Sequence, residues 1–203
     1  MTCKSAYRTG SKNAEVLKWS AIITGTLAEI KDISDFERVA YVRDFKKFLE
    51  EALTIKPDSS VYHMNGRFCY RMATLSEEEK KNVMIAFEEL PTCTIDDALH
   101  NFHKAEEMNS GHIDNLMYLG KCYIAKGDES KAQKYLLPVL EITPTDEMDE
   151  ALIAEARELL AGIKEYVQSQ NEENGKESSD QTDMEETEDG IDSTSGYSKN
   201  ATD

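Results

Sequence analysis

The chain has 203 residues, 39% of them hydrophobic, and a formal net charge of −17. That length fits one packed domain plus a tail. So acidic a chain repels nucleic acid and anionic membrane, and neither is expected as a partner through bulk charge.

Residues 1–13, MTCKSAYRTGSKN, are polar and lack the apolar core of a signal peptide, so a flexible N-terminus is expected. No apolar run approaches the ~20 residues that span a bilayer. A helical domain is expected over residues 14–167. It opens with a weak helix hairpin, in which Trp19, Ile22 and Ile23 suit the first helix and Phe45, Leu49, Ala52 and Pro57 the second. This unit is roughly ten residues longer than a regular tetratricopeptide (TPR) unit, and the excess is expected around Ile30–Phe36.

The next hairpin places Tyr62, Gly66, Cys69 and Tyr70 on its first helix and Ala98, Phe102 and Ala105 on its second. About 20 residues are inserted between them by the same ruler. Ser76 and Glu79 form a capping box that predicts an extra helix through about Glu89, ended by Pro91. Thr94 and Asp97 then cap the second helix.

The cleanest unit runs from Asp114 to Thr145. Its TPR positions are Leu116, Leu119-Gly120, Tyr123, Ala132, Leu136, Val139 and Pro144, with the interhelix turn at Gly127-Asp128. Gly120 is expected where the two helices approach most closely. A 34-residue step back from Ala132, Leu136 and Val139 lands on Ala98, Phe102 and Ala105, the same register in the preceding hairpin. Asp146 and Asp149 cap a last helix whose apolar stripe is Leu152, Ala156, Leu159, Leu160 and Ile163. Such a helix covers the end of a solenoid. Residues 168–203 are Ser-, Thr- and Glu-rich with a charge of −9, a composition that predicts disorder. No alternating strand pattern occurs. The expected fold is therefore all-α, a TPR-like solenoid of about three hairpins with a capping helix and an acidic tail.

Little in this chain points to chemistry. Cys3, Cys69, Cys93 and Cys122 have no zinc or disulfide spacing and are expected as reduced thiols, with Cys69 and Cys122 on buried faces. His100 and His103 are one turn apart, but the helix wheel sets them opposite Ala98, Phe102 and Ala105, on a solvated face rather than at a metal. His63 and His112 are isolated in sequence and are expected on a helix surface or in a loop. No phosphate loop or nucleophile elbow is present, so neither catalysis nor a cofactor is expected.

The scarce cations are bunched. Arg38, Arg43, Lys46 and Lys47 share a broad face of one helix, and Arg67 and Arg71 lie four apart on the next. Stacked hairpins would merge them into a positive patch for an acidic peptide or a lipid phosphate. The alternative is pairing with Glu37, Asp44 and Glu50. The tail sequence Thr182-Asp183-Met184-Glu185 suits an acid-directed kinase.

Four segments carry a family resemblance: KWSAIITG (Lys18–Gly25), HMNGRFCYRMATLS (His63–Ser76), PTCTIDDALHNFHKAEEMN (Pro91–Asn109) and NLMYLGKCYIAKGD (Asn115–Asp128). With the inserted helix before Pro91 and the KAEE at Lys104–Glu107, the chain from about Asn13 to Ile163 resembles the regulator of microtubule dynamics family. The resemblance implies a non-enzymatic cytoplasmic protein of microtubules, spindle and spindle poles that supports chromosome segregation. Some relatives sit at mitochondria, where one type tethers organelles and carries phospholipid. That type has a transmembrane anchor and an acidic two-phenylalanine motif, neither found here. Relatives also carry a further hairpin before the Trp19 helix, so this chain resembles an N-terminally shortened form with its first apolar face uncovered. The implied partners are microtubules or a microtubule-associated protein, with phospholipid or a peptide as alternatives.

Overall fold

In a computed structural model of the chain, the described residues are Tyr7, 13–87 and 91–163. Most of the expected flexible N-terminus and the whole of the acidic tail lie outside them. Among the described residues the regular structure is helical.

Side chains written into the sequence start nearly every helix. The Asn13 carboxamide accepts from the Glu15 and Val16 amides, at 2.9 and 3.4 Å, and opens α1 (Ala14–Glu29). Ser34 and Glu37 form a reciprocal capping box for α2 (Asp35–Ile55). Asp58 caps α3 (Ser59–Ala73) through the Val61 amide at 3.0 Å. The expected Ser76–Glu79 and Thr94–Asp97 boxes open α4 (Glu77–Ala86) and α5 (Ile95–Met108). Next come α6 (Ile113–Ala125), α7 (Glu129–Leu136) and a 3₁₀ turn at Leu137–Glu141. Helix α8 covers residues 147–163, and Asp146 accepts from the Asp149 amide at 2.9 Å ahead of it.

Helices α1/α2, α3/α5 and α6/α7 pack as three antiparallel hairpins, with α4 inserted into the second and laid against α2. Three boundaries differ from expectation. The excess residues of the first hairpin are not a loop: only residues 30–34 link its helices, and α2 itself runs 21 residues. No Gly or Pro interrupts Asp35–Ile55, so once capped the helix continues. Helix α4 stops at Ala86, because Phe87 is extended (φ −123°, ψ 143°). Helix α7 is only eight residues long, since Pro138 has no N–H for the Lys134 carbonyl and the chain tightens into the 3₁₀ turn. Pro144 lies beyond that turn, exposed and outside any helix.

One apolar cluster joins the first hairpin to α3 through Leu17, Ala21, Leu49, Ala52 and Val61. A second joins α3, α5 and α6 through Cys69, Ala98, Phe102, Leu119 and Cys122. Among the repeat positions, Ala98, Phe102, Leu119, Ala132 and Leu136 are fully buried, Gly66 and Gly120 are buried, and Ala105 is 3% exposed. Tyr123 is half-buried and stacks on Tyr135 with ring centroids 5.6 Å apart.

The two repeat glycines mark the closest helix approaches. A Cβ on Gly120 would stand 2.4 Å from Leu136 Cδ2, and one on Gly66 would stand 2.6 Å from Phe102 Cε1. Leu136 and Phe102 are the pair related by the 34-residue step, so both hairpins close by the same small-against-large contact. In the first hairpin Ala21 and Leu49 share the core instead. Trp19 is 56% exposed, with Ile23 at 44%. The inward face of α1 is Leu17, Ser20, Ala21 and Thr24, whose small side chains let α2 come close, and this turns the indole outward.

Candidate functional site

The six cations of the expected patch are held by different elements. The Arg38 guanidinium donates to the carbonyls of Ala28, Ile30 (2.9 Å) and Lys31, closing the C-terminal end of α1. Arg43 donates to the Ile85 carbonyl at 3.0 Å, in the last turn of α4. Neither α1 nor α4 has a basic residue in its own last turn. Helix α2 supplies that charge to both, where it meets the orphan carbonyls and the negative end of the dipole.

Lys46 pairs with Glu50 and sits 5.1 Å from the Phe68 ring centroid. Lys47 lies 4.9 Å over Tyr7. Arg67 reaches Glu29 at 3.5 Å and Asp114 at 3.7 Å, with its guanidinium 5.4 Å from the Tyr118 ring. Arg71 reaches Glu79 at 2.5 Å and ties α3 to the first turn of α4. Arg71, the Ser76 amide and the Ser76 hydroxyl together hold the Glu79 carboxyl down at about 2, the backbone amide contributing most. Arg67 and Arg71 thus share a helix face but turn to opposite neighbours. The structure gathers Arg38 and Arg67 at the end of α1, Arg43 and Arg71 on the two ends of α4, and Lys46 and Lys47 side by side on α2.

A polar seam that spacing did not reveal joins α3, α5 and α6. The His63 ring nitrogens face Asp114 Oδ2 at 2.8 Å and Asn115 Oδ1 at 3.1 Å. Asn115, 2% exposed, donates to the Phe102 carbonyl (3.0 Å) and to Glu106 (2.9 Å). Burial pushes the Asp114 carboxyl up, but the hydrogen bond from His63 and the charge of Arg67 outweigh it, and its pKa falls below the ordinary value. Beside the seam lies a cavity of about 220 Å³ lined by Ile22, Ser59, His63, Met64, His112 and Asn115, among others. His63 is therefore not an isolated surface residue: it faces Phe102, Tyr118 and His112 with ring centroids 5.5, 5.9 and 6.0 Å away. The sequence signal was the Gly66/Gly120 register, which sets the first turns of α3 and α6 side by side.

His100 is exposed, as expected. His103 is not on a solvated face: its Nε2 meets the Tyr123 hydroxyl at 2.9 Å, and its ring packs edge-on to Tyr123 and Tyr135. Burial, the leading cause, lowers its pKa. Among the described residues no group of His, Cys, Asp or Glu has the arrangement of a metal site, and no helix is long and apolar enough to cross a membrane.

A family model described as "Regulator of microtubule dynamics protein 1-3" matches residues 1–164. Regulator of microtubule dynamics protein 2 of Rattus norvegicus is 32% identical over 148 residues, covering 72% of this chain and 35% of the relative. Regulator of microtubule dynamics protein 3 of Xenopus laevis is 32% identical over 164 residues, covering 80% and 35%. Regulator of microtubule dynamics protein 1 of Caenorhabditis elegans is 32% identical over 144 residues, covering 70% and 63%. The matched region thus spans about a third of the two vertebrate relatives and under two thirds of the nematode one.

Proposed function

The chain belongs to the regulator of microtubule dynamics family, and we propose that it is a non-enzymatic helical scaffold that docks on microtubules or on a microtubule-associated protein. The observation that carries this reading is the extent of the family match. Residues 1–164 take in all three hairpins and α8, so what the chain shares with microtubule regulators is the stacked helical body. The finer reading is association with spindle and spindle poles in support of chromosome segregation, in the cytoplasm.

An acidic protein needs a local positive surface to approach an acidic filament. Helix α2 supplies it. Among the described residues, the contacts of Arg38 and Lys47 are to carbonyl oxygens and an aromatic ring, neither of which cancels their charge. The Lys46–Glu50 pair, with Glu50 61% exposed, is a surface bridge that costs little to exchange for another partner. Lys46 and Lys47 therefore make the cleanest test. Arg38, Arg43, Arg67 and Arg71 also hold helices in place, and their loss would mix folding with docking. Charge reversal of both lysines to Glu lowers binding to microtubules in co-sedimentation by roughly tenfold or more; unchanged pelleting removes α2 from the interface.

The competing reading, a phospholipid-binding or tethering module at mitochondrial contacts, draws less support from this body. The cavity where α1, α3, α5 and α6 meet has about 220 Å³, whereas small-molecule pockets run to roughly 300–1,000 Å³. Native mass spectrometry of the purified chain separates the readings, since a co-purifying phospholipid would favour the second. A tagged full-length chain in dividing cells separates spindle from mitochondrial location.

A further inference from the structure

Two cysteines distant in sequence meet where the two apolar clusters join. Cys69 lies on α3 and is 5% exposed. Cys93 stands in the short segment between α4 and α5, half-buried, with its amide bonded to the Pro91 carbonyl at 3.1 Å. Cys93 packs against both clusters, including the one that contains Cys69. Both are free thiols, and a hydrogen bond shared between them is the leading cause that shifts the pKa of each. Cys122 is also free but fully buried in the second cluster.

We propose that Cys69 and Cys93 are a peroxide-sensitive thiol pair that closes to a reversible disulfide, tying the segment after α4 to α3.

The surroundings assign a role to each sulfur. Cys93 accepts a hydrogen bond from Cys69, and the Lys46 ammonium on α2 adds positive charge. Burial and Asp97 on α5 act the other way, yet its pKa comes down to about 7. Cys93 is thus the more acidic of the two sulfurs, and its partial exposure lets a small oxidant reach it. Cys69 keeps its proton, held first by that same hydrogen bond and then by burial. In the first step the Cys93 thiolate attacks hydrogen peroxide. An S–O bond forms, the O–O bond breaks, and hydroxide leaves, so sulfur loses two electrons and peroxide gains them. In the second, the Cys69 sulfur attacks the Cys93 sulfenic acid. An S–S bond forms, the S–OH bond breaks, and the Cys69 proton leaves with the hydroxide as water. Oxidation of Cys93 removes the charge that held the Cys69 proton, so the first step prepares the second.

The disulfide would enclose α4 in a covalent ring. In the reduced chain that helix is held by Val83 and the following Phe87 against the first apolar cluster and at its two ends by the surface contacts Arg71–Glu79 and Arg43–Ile85. It also presents Met84 (55% exposed) and Ile85 (68%). Closure therefore limits how far this apolar edge can move from α2 and α3.

The test uses the full chain, treated with hydrogen peroxide and mapped by non-reducing peptide mass spectrometry. The expected result is an intramolecular Cys69–Cys93 cross-link that dithiothreitol reverses, with Cys122 still alkylatable. Cys93→Ser abolishes the cross-link. Cys69→Ala leaves a Cys93 sulfenic acid that dimedone captures, and thermal unfolding verifies that each variant is folded. Mapping that finds both cysteines still reduced, or paired elsewhere, overturns the proposal. A second arm does not depend on variants. On the reduced chain at neutral pH, Cys93 alkylates at least about tenfold faster than Cys122, whose pKa burial raises to about 12. Equal rates, or a Cys93 profile without an inflection near pH 7, also overturn it.

Discussion

Gly120→Ala tests the hairpin geometry most sharply, because propensity and packing predict opposite signs. In an open helix the substitution stabilises by about 1 kcal/mol. Here the new Cβ would stand 2.4 Å from Leu136 Cδ2 and 2.5 Å from Leu136 Cγ. Rotating the terminal methyls does not clear a contact with the branch carbon, and Leu136 is fully buried. Overpacking of this kind costs about 1–3 kcal/mol. Taking the upper end and subtracting the propensity gain leaves a net loss of about 2 kcal/mol, a fall in Tm of about 4–8 °C for a chain this long. Circular dichroism melts measure it. Gly162→Ala is the internal control, since nothing lies within 4 Å of its Cβ and it should gain stability. In a Leu136→Ala background, which itself costs about 2–5 kcal/mol, Gly120→Ala becomes neutral or favourable. If Gly120→Ala alone stabilises as much as Gly162→Ala, the two helices do not meet as described.

Further outcomes follow from other contacts. Asn115→Ala leaves the Phe102 carbonyl and His63 without their amide partner in a buried seam and costs about 1–3 kcal/mol by urea unfolding. Glu79 has a folded pKa depressed to about 2. The stability it adds is therefore full above the unfolded value near 4.3 and lost as pH falls towards 2. Glu79→Gln flattens that acid limb relative to the parent, and the difference between their melting curves reads it. Trp19 is the chain's single tryptophan and is 56% exposed. Its fluorescence in the folded state is thus open to iodide quenching, and Trp19→Ala costs under about 1 kcal/mol rather than the 3–5 of a buried tryptophan.

The repeat architecture was legible because its signals are local and paired. The 34-residue step from Leu136 to Phe102 and the glycines at 66 and 120 locate the same closure twice. The caps at Ser76, Thr94 and Asp146 are each formed within a few residues of sequence. What spacing missed came from a second interface. A helix wheel assigns one buried face, but a helix in a stacked solenoid touches its hairpin partner and the next hairpin. His103 therefore lies off the Ala98–Phe102–Ala105 stripe on the wheel and still packs on Tyr123 and Tyr135. His63 meets Asp114 and Asn115 for the same reason. Trp19 sits outward on α1, because close approach of α2 favours the small Ser20, Ala21 and Thr24 on the inward face. Sequence places Arg38, Arg43, Lys46 and Lys47 on one helix, but does not tell which helix end each one closes. Arg38 and Arg43 found carbonyls outside their own helix, at α1 and α4.

The central claim is that the helical body docks on microtubules through α2. Co-sedimentation of the full chain with taxol-stabilised microtubules, parent against the Lys46→Glu/Lys47→Glu double variant, tests it most directly. The account predicts that the parent pellets with the filaments, weakly at high salt, and that the folded double variant stays in the supernatant. A parent that does not pellet by itself or with a microtubule-associated protein fraction, or a variant that pellets like it, contradicts the claim.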